Sequence, residues 1–122
     1  MTNDTLTCPY CDYDEMDAME HNEFGMIIPA LKPLSKGHTL IIPRRHVASF
    51  FDVGDKERKS LVTLLELARN ELKIRHQPEG FHIGFTDGQI FNCPEQHVHI
   101  HVIPRYKDKK LILDENWGIQ PE

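Results

Sequence analysis

Residues 97–105 read His97-Val98-His99-Ile100-His101-Val102-Ile103-Pro104-Arg105. Histidine alternates with a β-branched residue three times in a row. A strand has period two, so this spacing predicts His97, His99 and His101 on one face and Val98, Ile100 and Val102 on the other, where a core takes them. A helix would scatter the same six residues around its circumference. One histidine on a strand is usually just solvated. Three in strict alternation, out of eight histidines in 122 residues, weigh toward a functional row. Imidazole serves near neutral pH as nucleophile, proton carrier, hydrogen-bond donor and metal ligand.

The chain upstream supplies partners for this strand. Phe81-His82-Ile83-Gly84-Phe85-Thr86 also alternates, and Asp87-Gly88 reads as a turn. A loop from Gln89 to Gln96, containing Asn92, Cys93 and Pro94, then leads into the histidine row. The two strands, 81–86 and 97–103, are expected to pair antiparallel. Phe24–Ala30 and His38–Pro43 are β-branched and apolar, and are separated by a turn containing Pro33, Ser35 and Gly37, which predicts a second antiparallel pair. Between the two pairs, Leu61, Leu64, Leu65, Ala68 and Leu72 recur at helical spacing within a long helix over 52–75. Asp52 or Asp55 can cap its start, and Gln77-Pro78-Glu79-Gly80 ends it. The leucine stripe reads as core or dimer contact rather than a cofactor box. Residues 12–23, rich in Asp and Glu, read as a short helix or irregular solvated segment. The lone Trp117 near the C-terminus reads as a packing residue. The expected fold class is α+β: a mostly antiparallel sheet with one long helix, in a single domain over 1–122.

Composition narrows the function classes. With 39% hydrophobic and 27% charged residues the chain is globular. A net charge of −5 without a long basic run argues against a general nucleic-acid binder. No apolar run approaches the ~20 residues of a membrane span, and residues 1–7 lack the pattern of a signal peptide. These features predict a cytoplasmic protein with neither nucleic acid nor membrane as partner. The three cysteines, Cys8, Cys11 and Cys93, suit a reducing compartment. Cys8-Pro9-Tyr10-Cys11 can grip a tetrahedral zinc across a tight turn, but alone it is equally a redox pair or two ordinary thiols. Arg44-Arg45 at a strand end can meet an anion or stand exposed, and His46 is a candidate partner for the cysteines.

The stretch His97–Ile103 fits the His-φ-His-φ-His-φ-φ signature of the histidine triad (HIT) family, where φ is apolar. The resemblance extends to Ser35–His46, to Ile103-Pro104-Arg105-Tyr106, which is similar to the extension in bacterial-type members, and to the Cys-x-x-Cys of zinc-bearing members at Cys8–Cys11. It covers Cys8 to about Tyr106, in order. Membership implies a homodimer, a nucleotide substrate of the purine class, and cleavage at an α-phosphate in a phosphoramidate or dinucleoside polyphosphate. His99 matches the nucleophile and His101 a second catalytic imidazole. Substrate and phosphate contacts fall on His38, Thr86, Cys93 and His97. Structural zinc falls on Cys8, Cys11, His46 and His97, with no catalytic metal required. Zinc at His97 takes that residue away from the phosphate.

Departures from the family pattern bear on substrate. Ala30 stands where an Asp often holds ribose hydroxyls, and Asn92-Cys93-Pro94 replaces Gly-Gln-Ser or Gly-Gln-Thr. Thr86 and His82 both occupy positions where Asn is common. The nucleophile is kept while the ribose and leaving-group contacts are rewritten, which opens substrates other than a purine ribonucleotide. Cys93 either faces the pocket or packs as a small hydrophobe, with the second slightly favoured. The leading expectation is a triad hydrolase acting through His99. Its competitors are a non-catalytic nucleotide- or partner-binding member, and a site in which the three histidines ligate a catalytic metal.

Overall fold

A computed structural model describes residues 8, 10–88 and 97–107. Asn92, Cys93, Pro94 and Trp117 lie outside the described residues. Strands β1 (Glu20–His21), β2 (Gly25–Pro29), β3 (Thr39–Pro43), β4 (Gly80–Gly84) and β5 (Ile100–Arg105), with helix α1 (Asp55–His76) between β3 and β4, form the framework. The five strands make one sheet in the order β1-β2-β3-β5-β4, with every pairing antiparallel. Both expected pairs are present, and β5 joins them by pairing with β3 as well as β4.

Burial explains the composition of the central strands. Ile27, Ile41, Ile100 and Val102 face α1 and pack with Leu61, Leu64, Ala68 and Leu72. The alternate residues Met26, Ile28, Leu40 and Ile42 form a second cluster, covered by Cys8 and Tyr10. Strands covered on both faces read as continuous apolar runs, which is how β2 and β3 read. The helix lies close to the sheet at Gly25. A Cβ there would stand 2.7 Å from Leu61 Cδ2 and 2.8 Å from the Ile42 carbonyl oxygen, so only glycine admits the approach.

Three expectations are corrected. The helix begins at Asp55 and not at 52, because Gly54 takes an extended conformation as N-cap. Neither Asp52 nor Asp55 caps it. The Gly54 N–H instead donates to Glu57 Oε1 at 3.1 Å, and Asp55 accepts from Arg58 at 3.0 Å. The expected helical end holds: Gln77 turns left-handed with φ 53° and donates to the Lys73 carbonyl at 3.1 Å, ahead of Pro78. The acidic segment does hold a short exposed helix, a 3₁₀ turn at Glu15–Asp17, and is followed by β1, a strand not foreseen. The triad strand starts at Ile100, since Val98 N–H donates to the Val47 carbonyl at 2.8 Å and His97 to His99 lie ahead of the ladder. The alternation persists even so: Val98, Ile100 and Val102 all enter the helix-side core. Among the described residues no helix is long and apolar enough to cross a membrane.

Candidate active site and the adjoining cysteine–histidine cluster

The turn before β3 places the first imidazole. The His38 N–H donates to the Ser35 carbonyl at 3.1 Å, and Gly37 sits at the third turn position with φ +91°, which favours glycine. Two hydroxyls pin this turn to the end of β5: Ser35 Oγ donates to the Pro104 carbonyl at 2.6 Å, and Tyr106 Oη to the Lys36 carbonyl at 2.6 Å. His38 is thereby buried beside His101, which projects from β5 opposite Leu40.

Hydrogen bonds fix the protons on these rings. The Leu34 N–H donates to His38 Nδ1 at 3.0 Å. His38 Nδ1 is therefore bare, and its proton lies on Nε2, which is 2.9 Å from His101 Nδ1. His101 accepts there and carries its own proton on Nε2. Burial, the first cause, pushes His38 down to about 4, with the Arg105 guanidinium and His99 adding to it. Burial, then His99 and His38, pushes His101 down to about 3. Both rings are thereby held neutral.

His99 has the opposite arrangement. Its Nδ1 lies 3.0 Å from the His97 carbonyl oxygen, which can only accept. Nδ1 therefore holds a proton, which in the neutral tautomer puts the lone pair on Nε2. The His99 and His101 ring centroids are 5.0 Å apart. One imidazole protonated on Nδ1 thus stands beside another offering an N–H from Nε2. Tyr10 packs against His99 at 5.1 Å between centroids and against His97 at 5.8 Å.

The third histidine of the row does different work. His97 is 1% exposed. Its Nε2–H donates to the Pro43 carbonyl at 2.8 Å, which turns the bare Nδ1 toward Cys8 Sγ at 3.6 Å and Cys11 Sγ at 3.5 Å. Both ring nitrogens are occupied, so the expected phosphate contact from His97 does not fit this geometry. His46 Nδ1 is 2.8 Å from Cys11 Sγ. The ligand atoms of Cys8, Cys11, His46 and His97 all lie within 4.8 Å of one another. Zinc bonds of about 2.3 Å to sulfur and 2.0–2.1 Å to nitrogen put tetrahedral ligand atoms roughly 3.3–3.8 Å apart, close to the spacings at His97. The carbonyl behind His97 also sets the tautomer a metal needs. The donor set fits zinc. Burial, then the Cys8 thiol and Asp12, pushes the Cys11 thiol up to about 11, and a cation among the thiols reverses that preference.

Arg45 anchors the His46 loop, donating from Nε and Nη2 to both oxygens of the Glu57 carboxylate at 3.2 and 2.9 Å. The guanidinium, as first cause, holds the Glu57 carboxyl below its usual range. Arg44 binds Glu15 at 2.7 Å. The arginine pair is thus spent on structural contacts.

The sequence-predicted residues fall into two adjoining groups. His38, His99 and His101 form one, and Cys8, Cys11, His46 and His97 the other. Thr86 lies two residues beyond β4, half-buried. Ala30 packs against the second core cluster, where it brings no side-chain acceptor. The three triad imidazoles do not converge on one point, which disfavours a catalytic metal held by all three. Sequence reasoning missed the Leu34 N–H, Ser35, Tyr10 and the Pro43 carbonyl. Only the Ser35–His38 turn signal pointed toward any of them.

The HIT domain family matches residues 15–108, well over half of the chain. The chain belongs to the HIT family. An adenosine 5'-monophosphoramidase of Schizosaccharomyces pombe is 29% identical, over 95% of this chain and 86% of its own. An AP-4-A phosphorylase of Mycobacterium tuberculosis is 31% identical over 75% of this chain, though the match spans only 57% of that relative. Among solved structures, a zinc-bound histidine triad family protein from Mycobacterium smegmatis superposes with a TM-score of 0.75 at 22% identity, covering 93% of this chain and 89% of that one. This HIT chain thus shares its fold with a metal-bearing protein and its family with two nucleotide-processing ones.

Proposed function

We propose that this HIT protein cleaves a nucleotide at its α-phosphate through a covalent nucleotidyl-His99, acting on a phosphoramidate or a phosphoanhydride. The observation that carries this is the Nδ1 bond of His99 to the His97 carbonyl, which frees Nε2 as nucleophile. Nε2 attacks phosphorus, and the bond to the leaving oxygen or nitrogen breaks with its electron pair. The Nε2–H of His101, oriented by His38, hydrogen-bonds to the departing group, which takes its proton from solvent. Water then attacks the phosphorus, the phosphorus–nitrogen bond to His99 breaks with its electron pair returning to Nε2, and the proton lost by the water passes to solvent. The nucleoside monophosphate leaves. Donors aimed at the phosphoryl oxygens stabilise charge during transfer. The relatives' names support a nucleotide substrate. Release of AMP from adenosine phosphoramidate and diadenosine tetraphosphate, followed chromatographically, tests the reading. Turnover of at least one is expected, and inertness toward both contradicts it.

Structural zinc at Cys8, Cys11, His46 and His97 completes the proposal; when bound it supplies a crosslink, not a reactive group. A homodimer is proposed along β4, which lies at a sheet edge and carries the 36%-exposed Ile83 close in sequence to Phe85, itself packed with the 68%-exposed Phe51. Sedimentation at micromolar concentration is expected to give twice the monomer mass, and a monomer mass contradicts it.

The buried His38–His101 pair also sets an acid limit on stability. Unfolded, His38 and His101 titrate near 6.5; folded, they titrate near 4 and 3. Their folded pKa values are depressed, so the unfolded chain binds more protons below about pH 6.5 and the stability they contribute is lost as pH falls toward 4. Thermal melts are expected to drop by about 5 °C or more across this window. The drop should be smaller in His38→Gln, which separates it from proton competition at the thiols. Equal profiles for both proteins contradict the assignment.

A further inference from the structure

Nucleotidyl transfer needs the His99 ring held in one plane as well as in one tautomer. The bond from Nδ1 to the His97 carbonyl fixes one atom of the ring. The residue is half-buried, and the ring can still swing about that bond through its two side-chain torsions. Two aromatic neighbours restrain it. His101 meets it edge to face, at 66° between planes. Tyr10 meets it at 34° with centroids 5.1 Å apart, the more nearly face-to-face contact of the two.

Tyr10 joins the nucleophile to the cysteine–histidine cluster. It also packs on His97, at 5.8 Å and 70°, so one ring touches both the cluster and the reacting imidazole. It lies between Cys8 and Cys11 in a turn outside the sheet ladder, where the Tyr13 N–H donates to its carbonyl at 3.4 Å. The thiols on either side both reach His97 Nδ1, at 3.6 and 3.5 Å. Tyr10 is itself buried against the sheet, in the cluster of Met26, Ile28, Leu40 and Ile42. The sheet beneath it and the cysteines flanking it fix where its ring stands.

We propose that Tyr10 is a positioning residue for the nucleophile. Its ring face holds the His99 imidazole in the plane that points Nε2 at phosphorus. Its place between the cysteines makes that alignment depend on an ordered Cys8–Cys11 turn. Tyr10 moves no proton and forms no bond in the reaction. A nucleophile displaced by about 1 Å costs on the order of a hundredfold in rate. Such a displacement leaves nucleotide binding intact, so the loss falls on kcat. The inference rests on the nucleotidyl-transfer reading for the reaction and on the ring geometry for the role.

The test uses the full-length, zinc-loaded protein as wild type, Tyr10→Leu, Tyr10→Phe and Met26→Ala. Tyr10→Leu keeps apolar bulk and removes the ring face; Tyr10→Met takes its place should that variant not fold. Tyr10→Phe keeps the face. Met26→Ala loosens the same core cluster from β2. On whichever of diadenosine tetraphosphate and adenosine phosphoramidate wild type cleaves, Tyr10→Leu is expected to lose about thirtyfold in kcat with KM within about twofold. Tyr10→Phe should stay within about threefold of wild type, and Met26→Ala should lower Tm while keeping kcat. Proton–nitrogen NMR of the imidazoles, without substrate, reads the ring directly. The His99 Nδ1–H signal, assigned by its loss in His99→Ala, should be sharp in wild type and Tyr10→Phe and broadened in Tyr10→Leu. Cross-relaxation between Tyr10 and His99 ring protons is expected in wild type, and its absence overturns the proposal whichever variants fold. So does an unchanged kcat in Tyr10→Leu, or an equal fall in Tyr10→Phe or Met26→Ala. If wild type cleaves neither substrate, the nucleotidyl-transfer reading fails, and the His99 signal across the variants decides the positioning role by itself.

Discussion

His99→Ala is expected to lower turnover by on the order of 10⁴-fold or more, the scale seen when a covalent nucleophile is removed from a preorganised site. The loss should fall on kcat, with KM changing little. The argument rests on division of labour among three neighbouring rings. His97 has both nitrogens committed, to Pro43 and to the thiols. His101 presents a proton because His38 donates to its Nδ1, a direction set in turn by the Leu34 N–H. Only His99 has its Nδ1 fixed as donor and so keeps Nε2 for the lone pair of its neutral tautomer. Its ring is half-buried and outside both core clusters, so removing it leaves the sheet packing intact. Circular dichroism and bound metal should match wild type. Retention of a tenth of the wild-type rate would move the nucleophile elsewhere.

The second large effect concerns stability. Chelation, or Cys8→Ser, is expected to lower Tm by about 10 °C. Free zinc at a hundred times its Kd stabilises the folded state by about 2.7 kcal/mol, and a domain of this size shifts by a few degrees per kcal/mol. The physical basis is the position of the Cys8–Cys11 turn. Cys8 and Tyr10 cover the sheet face made by Met26, Ile28, Leu40 and Ile42. With the turn released, that apolar face meets water, and Tyr10 loses its packing on His99. Elemental analysis should give one zinc per chain in wild type and a strong loss in Cys8→Ser. A melt indifferent to chelator, with no metal in the purified protein, contradicts the site.

What could be read from the sequence follows from how local each cause is. The alternation at 97–103 puts Val98, Ile100 and Val102 in the helix-side core, that at 81–86 puts Phe81 and Phe85 against it while Ile83 stays exposed, and the leucine spacing of α1 reflects one buried stripe. That signal is carried residue by residue, so these elements were legible. The helix start was not, because Gly54 and Glu57 cap it through the backbone while Asp52 and Asp55, the better-looking caps, point elsewhere. β1 was missed because Glu20-His21 are both exposed and carry no alternation. In the site, spacing alone picked out the row of His97, His99 and His101 and the Cys8–Cys11 pair, whereas His38, the roles of the imidazoles and the complete four-ligand set came from the family resemblance. Cys8-x-x-Cys11 taken alone left three readings open. The structure brings those four side chains together across 89 residues of sequence between Cys8 and His97. The tautomers could not be read at all. They depend on the Leu34 N–H and the His97 and Pro43 carbonyls, and backbone groups look alike in every sequence.

Intact-mass spectrometry under native conditions, after brief mixing with adenosine phosphoramidate and with diadenosine tetraphosphate, tests the covalent role of His99 most directly. The expected result is a species heavier by one adenylyl group in wild type that decays as AMP appears and is absent from His99→Ala. Turnover without any such species, or the same species in His99→Ala, contradicts nucleotidyl-His99 as the intermediate.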